Sequence, residues 1–167
     1  LGHQTNGKMT DALAEYVARF GVDAICTSPT IADPGRLAPS VDELHRMLEV
    51  AARRKVKVEM IDSILLTSSN IDVEKNPAIM LGQSPQRDRD IEAFNETIRN
   101  CAATGIQTLK YNMSILGVPR LEGKVQGRGD ALYNRWNAAE AVAKNPPLTR
   151  AGLVSADLFW ERIDYFL

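Results

Sequence analysis

Apolar positions along the chain switch repeatedly between a two-residue and a 3.6-residue rhythm, and the alternation predicts strands and helices in turn. A short first strand around Leu1 to Gln4 precedes Thr10, a predicted helix N-cap. Leu13, Tyr16, Val17 and Phe20 then recur at helical spacing up to Gly21, whose tolerance of left-handed backbone supplies a stop. Val22 to Cys26 reads as the second strand. A loop bearing Pro29, Pro34, Gly35 and Pro39 delivers Ser40, which with Glu43 predicts a capping box for a helix with Val41, Leu44, Leu48 and Ala51 on one face. Val56 to Ile61 is the third predicted strand. The third helix has Pro85 near its start, an inward stripe of Ile91, Phe94, Ile98 and Cys101, and Gly105 just past its end. Ile106 to Tyr111 is the fourth strand, and Ser155 opens a fourth helix whose Phe159, Ile163 and Phe166 point inward.

Four strand-then-helix units argue for a parallel α/β architecture rather than a sandwich or bundle. A closed eight-stranded barrel needs about 250 residues and at least roughly 200. With 167 residues, the expectation is a (β/α)8 TIM-barrel fold of which about the first four units are present, in a chain that is part of a longer protein. Between the fourth strand and the last helix lies a connection from Met113 to Arg150. It far exceeds the ~12 to 15 residues above which such segments are usually functional. It carries Arg120, Lys124, Arg128, Arg135, Lys144 and Arg150 against Glu122, Asp130 and Glu140, and is expected to cover the pocket.

Composition narrows the function classes. The chain is 44% hydrophobic and 25% charged, a globular balance, and 20 basic against 21 acidic side chains give no electrostatic pull toward nucleic acid or an anionic membrane. No apolar run approaches the ~20 residues of a membrane span. A cytoplasmic protein is expected. Cys26 and Cys101 are expected to be buried free thiols. His45 falls on the polar side of its helix, and His3 alone makes no metal site. No His, Cys and Asp cluster with ligand spacing occurs.

In a barrel, chemistry sits at the carboxyl ends of the strands. Lys110, Tyr111 and Asn112 stand at such an end. The period of two places Lys110 and Asn112 on one face, suited to a substrate carboxylate and a hydroxyl, and Tyr111 on the other, packed under the loop. Glu59 alternates with Val58 and Met60; it is either a pocket carboxylate able to bind metal, proton or hydroxyl, or a salt-bridged strand residue. Arg120 and Arg128 are candidate anion-holding side chains on the long connection.

The stretch Lys110-Tyr111-Asn112, followed by Ile115-Leu116-Gly117-Val118-Pro119-Arg120 and Gly127-Arg128-Gly129, resembles the mannonate dehydratases, sugar-acid lyases on a xylose isomerase-like barrel. Val58-Glu59-Met60-Ile61-Asp62-Ser63-Ile64 resembles that family's third strand. The likeness runs from about Val56 to Arg128 and departs at Asp130, where a small residue is expected. It implies that residues 1 to 167 are the amino-terminal half of one barrel domain. It also implies dehydration of D-mannonate to 2-keto-3-deoxy-D-gluconate in glucuronate catabolism. Substrate contacts would come from Glu59, Lys110, Asn112, Arg120 and Arg128. A divalent metal, Mn2+, would be bound by residues outside this chain. The partners expected are a small-molecule sugar acid and further copies of the chain in a homo-oligomer. The alternatives are a sugar isomerase or epimerase on the same barrel, and a non-catalytic truncated barrel.

Overall fold

The computed structural model describes residues 2–167, apart from the side chain of Asn6; the part of the first predicted strand that falls on Leu1 lies outside the described residues. Strands β1 (Gly2–Lys8), β2 (Ala24–Ser28), β3 (Lys57–Asp62) and β4 (Thr108–Lys110) form one parallel sheet in chain order. The crossovers carry α1 (Asp11–Arg19), α2 (Val41–Ala52), a short α3 (Ala78–Leu81) and α4 (Gln86–Thr104). The strands sit further along the chain than periodicity predicts. The amide of Val22 still closes the end of α1 on Val17 O, 3.3 Å away, so β2 starts only at Ala24. The Ile106 amide does the same for α4 on Cys101 O at 3.0 Å, which shortens β4.

One face of the sheet meets the helices. Ile25, Val58 and Ile61 pack with Ala14 and Val17 of α1, Leu44, Met47 and Ala51 of α2, and Cys101 and Ile106 at the end of α4. Leu44 and Ile61 are fully buried, worth about 1.5–3 kcal/mol each in removed apolar surface. Two predicted stripes need correction. Tyr16 and Phe20 are exposed, their rings tilted 58° to each other with centroids 5.0 Å apart, because α1 turns Ala14 inward beside the predicted Val17. In α4, Ile98 faces solvent while Asp90, Phe94, Thr97 and Cys101 are buried.

A second cluster, Leu66, Ile71, Ile79 and Met80, receives Phe159 and Phe166 from α6 (Ala156–Phe166). Phe166 completes an edge-on aromatic triad with Phe94 and Tyr111, at 5.0 and 5.5 Å. Arg162 donates to Met80 O at 2.9 Å, and the Arg87 guanidinium lies 3.4 Å over the Tyr165 ring. The last helix therefore docks on α3 and α4.

Residues 113–150 are not one featureless connection. Leu121–Gln126 (β5) and Leu132–Arg135 (β6) form an antiparallel hairpin, followed by α5 (Ala138–Lys144). The segment is tied down at its ends: Met113 and Ile115 pack on the second cluster, and the Arg150 amide donates to Asp72 at 2.7 Å.

Glu43 anchors the loop above α2. Its carboxylate accepts from Ser40 N at 2.8 Å, from Ala32 N at 2.7 Å and from Arg36 at 2.6 Å, while its own amide bonds Ser40 Oγ at 3.2 Å. The predicted capping box is present and extended by two further donors. Burial works against the charge, yet the backbone and arginine bonds outweigh it and hold the pKa down at about 2 from an ordinary 4.5. A depressed folded pKa stabilises the fold above the unfolded value, and the gain is lost as pH falls from about 4.5 toward about 2. Acid titration of stability should show this loss in the native protein and a shallower one in Glu43→Gln. Identical acid limbs would contradict the assignment.

Candidate active site at the strand ends

Because the strands are parallel, all four carboxyl ends emerge at one edge. Alternation turns the residues flanking the core-facing ones to the opposite face, and there the register builds a polar row. Gln4 pairs with Cys26, and Asp62 with Lys110, across neighbouring strands. Lys110 Nζ donates to Asp62 Oδ1 at 2.9 Å; Ser28 Oγ donates to Oδ2 at 3.5 Å and the Cys26 thiol to Oδ1 at 3.8 Å. One carboxylate thus collects three donors from the two strands that flank it, two from β2 and one from β4. Asp62 and Lys110 keep 23% and 35% of their side-chain surface open to solvent.

The loops after β3 and β4 finish the walls. Ser63 N donates to Lys110 O at 2.8 Å, Asn112 N to Leu66 O at 2.8 Å, and Asn112 Nδ2 to Thr67 O at 3.0 Å. Gln4, Ser28, Asp62, Leu66, Lys110 and Asn112 line a cleft of about 270 Å³. It adjoins a larger one of about 570 Å³, which shares Ser28, Asp62, Ser63 and Thr67 and extends to Lys8, Arg36 and Lys75. A buried carboxylate fixes the loop between them: Glu74 accepts from Thr67 Oγ1 at 3.0 Å, Ser68 N at 2.9 Å and Asn76 N at 3.2 Å.

Of the side chains that sequence singles out, Lys110 and Asn112 do share this cleft, and Tyr111 turns away to the Phe94 ring at 5.4 Å. Glu59 does not line it. In the pairing of β2 with β3, Ile25 faces Val58 but Cys26 faces Met60, so Glu59 is the extra residue of a bulge. It lies below the strand ends and pairs with Lys57 at 2.9 Å, both side chains mostly exposed. Arg120 is exposed ahead of β5, and Arg128 sits in a 3-10 turn (Arg128–Asp130) at the hairpin tip; neither lines the cleft. The glycines beside Arg128 serve the turn. A Cβ on Gly127 would meet the Tyr133 ring at 2.0 Å, and Gly129 has φ of 63°. Asp130 follows at φ 60°, a conformation that favours glycine. Sequence reasoning missed Asp62, although its place as last residue of a strand is the signal that finds such groups.

Cys26 is a half-buried free thiol within this row rather than a core residue, while Cys101 is buried. Burial raises the Cys26 pKa, with the Asp62 charge and hydrogen bond adding to the rise and Lys110 opposing it. Burial alone pushes Cys101 up to about 11. Alkylation rate against pH therefore reads the row directly. In a Cys101→Ala background, Asp62→Asn should lower the apparent pKa of Cys26 and Lys110→Met should raise it. Shifts in the same direction for both variants would rule out the arrangement.

No family model matches the chain. It is 28% identical over 132 residues to the mannonate dehydratase of Thermotoga neapolitana, a match spanning 74% of this chain and 34% of that relative. It superposes on the crystal structure of mannonate dehydratase from Streptococcus suis serotype 2 with a TM-score of 0.65 and 18% identity. That match covers 99% of this chain and 47% of the other. The chain thus spans about a third to a half of the proteins it matches. In sequence and in fold, it is similar to one part of a mannonate dehydratase.

Proposed function

We propose that this chain is the amino-terminal half of a (β/α)8 barrel that dehydrates a sugar acid, D-mannonate, to its 2-keto-3-deoxy product. The observation that carries the reading is the polar row at the carboxyl ends of four parallel strands, in a chain whose likeness to mannonate dehydratases extends over most of its length. Removal of the proton beside the carboxylate, loss of the hydroxyl on the next carbon and ketonisation complete such a reaction without external oxidant.

Within that reading, Lys110 orients the substrate. Its ammonium has three donors and gives one to Asp62, which leaves two for a carboxylate. Asn112 spends its amide N–H on Thr67 O and keeps its carbonyl for a substrate hydroxyl. The hairpin and its cations Arg120 and Arg128 would act on ligand entry as a cover, being outside the cleft lining.

The proposed reaction involves a divalent ion, Mn2+. The described residues do not suit it: no three His, Cys, Asp or Glu side chains gather among them, Asp62 is engaged by Lys110, and the Cys26 thiol is held toward its protonated form. The ion would be held by side chains outside this chain, and the roles given to Lys110 and Asn112 do not pass through it. Among the described residues no helix is long and apolar enough to cross a membrane.

The test is direct assay, with D-mannonate and Mn2+, of the full-length protein that carries this chain. The expected product is 2-keto-3-deoxy-D-gluconate. Lys110→Met should lower kcat/KM by about ten- to a hundredfold, the worth of a hydrogen bond to a charged group. Conversion of a neutral ketohexose in place of mannonate would favour the isomerase reading and overturn this one.

A further inference from the structure

We propose that Asp62 is the specificity-determining residue of this site, accepting a hydrogen bond from the hydroxyl on the carbon next to the carboxylate held by Lys110. The proposal rests on the sugar-acid reading and names what selects the acid.

A structural role does not account for the pair. The pair is largely withdrawn from water, so desolvation of both charges offsets their attraction, and β3 and β4 are already joined by their ladder and by Ser63 N to Lys110 O at 2.8 Å. The strands would hold without it. What the pair does supply is a fixed acceptor beside a fixed donor, 2.9 Å apart, at the mouth of a cleft. The carboxylate oxygen of a 2-hydroxy acid and its neighbouring hydroxyl oxygen are spaced about as two hydrogen-bonded atoms are, so one fits each group.

The rest of the neighbourhood favours the same role. Ser28 and Cys26 reach Asp62 only at 3.5 and 3.8 Å, long contacts that leave acceptor capacity on the carboxylate. Asp62 also lines both clefts, so a hydroxylated chain held by its carboxylate at Lys110 passes Asp62 on its way into the larger space. The charge has a second effect. A lone ammonium would take any anion, whereas one beside a carboxylate repels a bare carboxylate that brings no hydroxyl to satisfy Asp62.

Calorimetric binding of D-mannonate and of 2-deoxy-D-gluconate, which lacks only that hydroxyl, to the full-length protein without added metal tests the proposal without turnover. The unaltered protein should prefer mannonate by about ten- to a hundredfold. In Asp62→Ala the preference should fall to near unity, with affinity for the deoxy acid unchanged or increased. Asp62→Asn, nearly isosteric and still an acceptor, should keep part of the preference, and thermal melts of both variants establish that they fold. Equal weakening of the two acids, a preference that survives Asp62→Ala, or no binding of either acid would overturn it. A preference that depends on Asp62 in a protein that does not dehydrate mannonate would sink the dehydratase reading alone. Dehydration with a preference indifferent to Asp62 would sink only this proposal.

Discussion

Parallel strand pairing is the constraint on which the rest of this structure depends. Two parallel neighbours cannot be joined by a tight turn, so each strand must return through a crossover, here built on helices. The apolar side chains of those helices cover one face of the sheet, with Ile25, Val58 and Ile61 as their partners. The opposite face is left to polar groups. Since every strand runs the same way, Ser28, Asp62, Lys110 and Asn112 arrive together at one edge although they are far apart in sequence. Topology alone thus explains why a neutral chain has a charged, hydrogen-bonding cleft.

Holding that edge in shape falls to buried carboxylates that bind backbone amides. Glu43 and Glu74 each accept from two main-chain N–H groups in the loops around the larger cleft, and Glu43 adds Arg36. Loops of this kind carry orphan donors that helices and strands would satisfy internally. A charged acceptor can serve several at once, with bonds stronger than neutral ones. Asp62 differs from both in lying open to the cleft and in collecting side-chain donors only, which is why its geometry bears on ligand recognition rather than loop architecture.

Much of the scaffold is legible in the sequence because local rules fix it. Thr10, Ser40 and Ser155 cap their helices, Ser40 and Glu43 form the reciprocal box, and Gly105 takes the left-handed stop after α4. The opposite facing of Lys110 and Tyr111 follows from the period of two. The remainder depends on contacts between distant segments. Glu59 cannot be placed by alternation, since the bulge it occupies is set by pairing with β2. That bulge also shifts the parity of β3, bringing Asp62 to the polar face while Ile61 stays in the core. Ile98 and Thr97 exchange places because helix rotation depends on what α4 meets, and the hairpin within the long connection has pairing partners that no short window reveals.

The central claim is that the Asp62–Lys110 pair at the strand ends is where a sugar acid is bound. A crystal structure of the protein soaked with D-mannonate tests it most directly. The account predicts ligand density in the cleft between β1 and β4, with the carboxylate within hydrogen-bonding distance of Lys110 Nζ and a hydroxyl on Asp62. Density elsewhere, for example at Glu59 or along the hairpin cations, with the Asp62–Lys110 pair untouched, would contradict it.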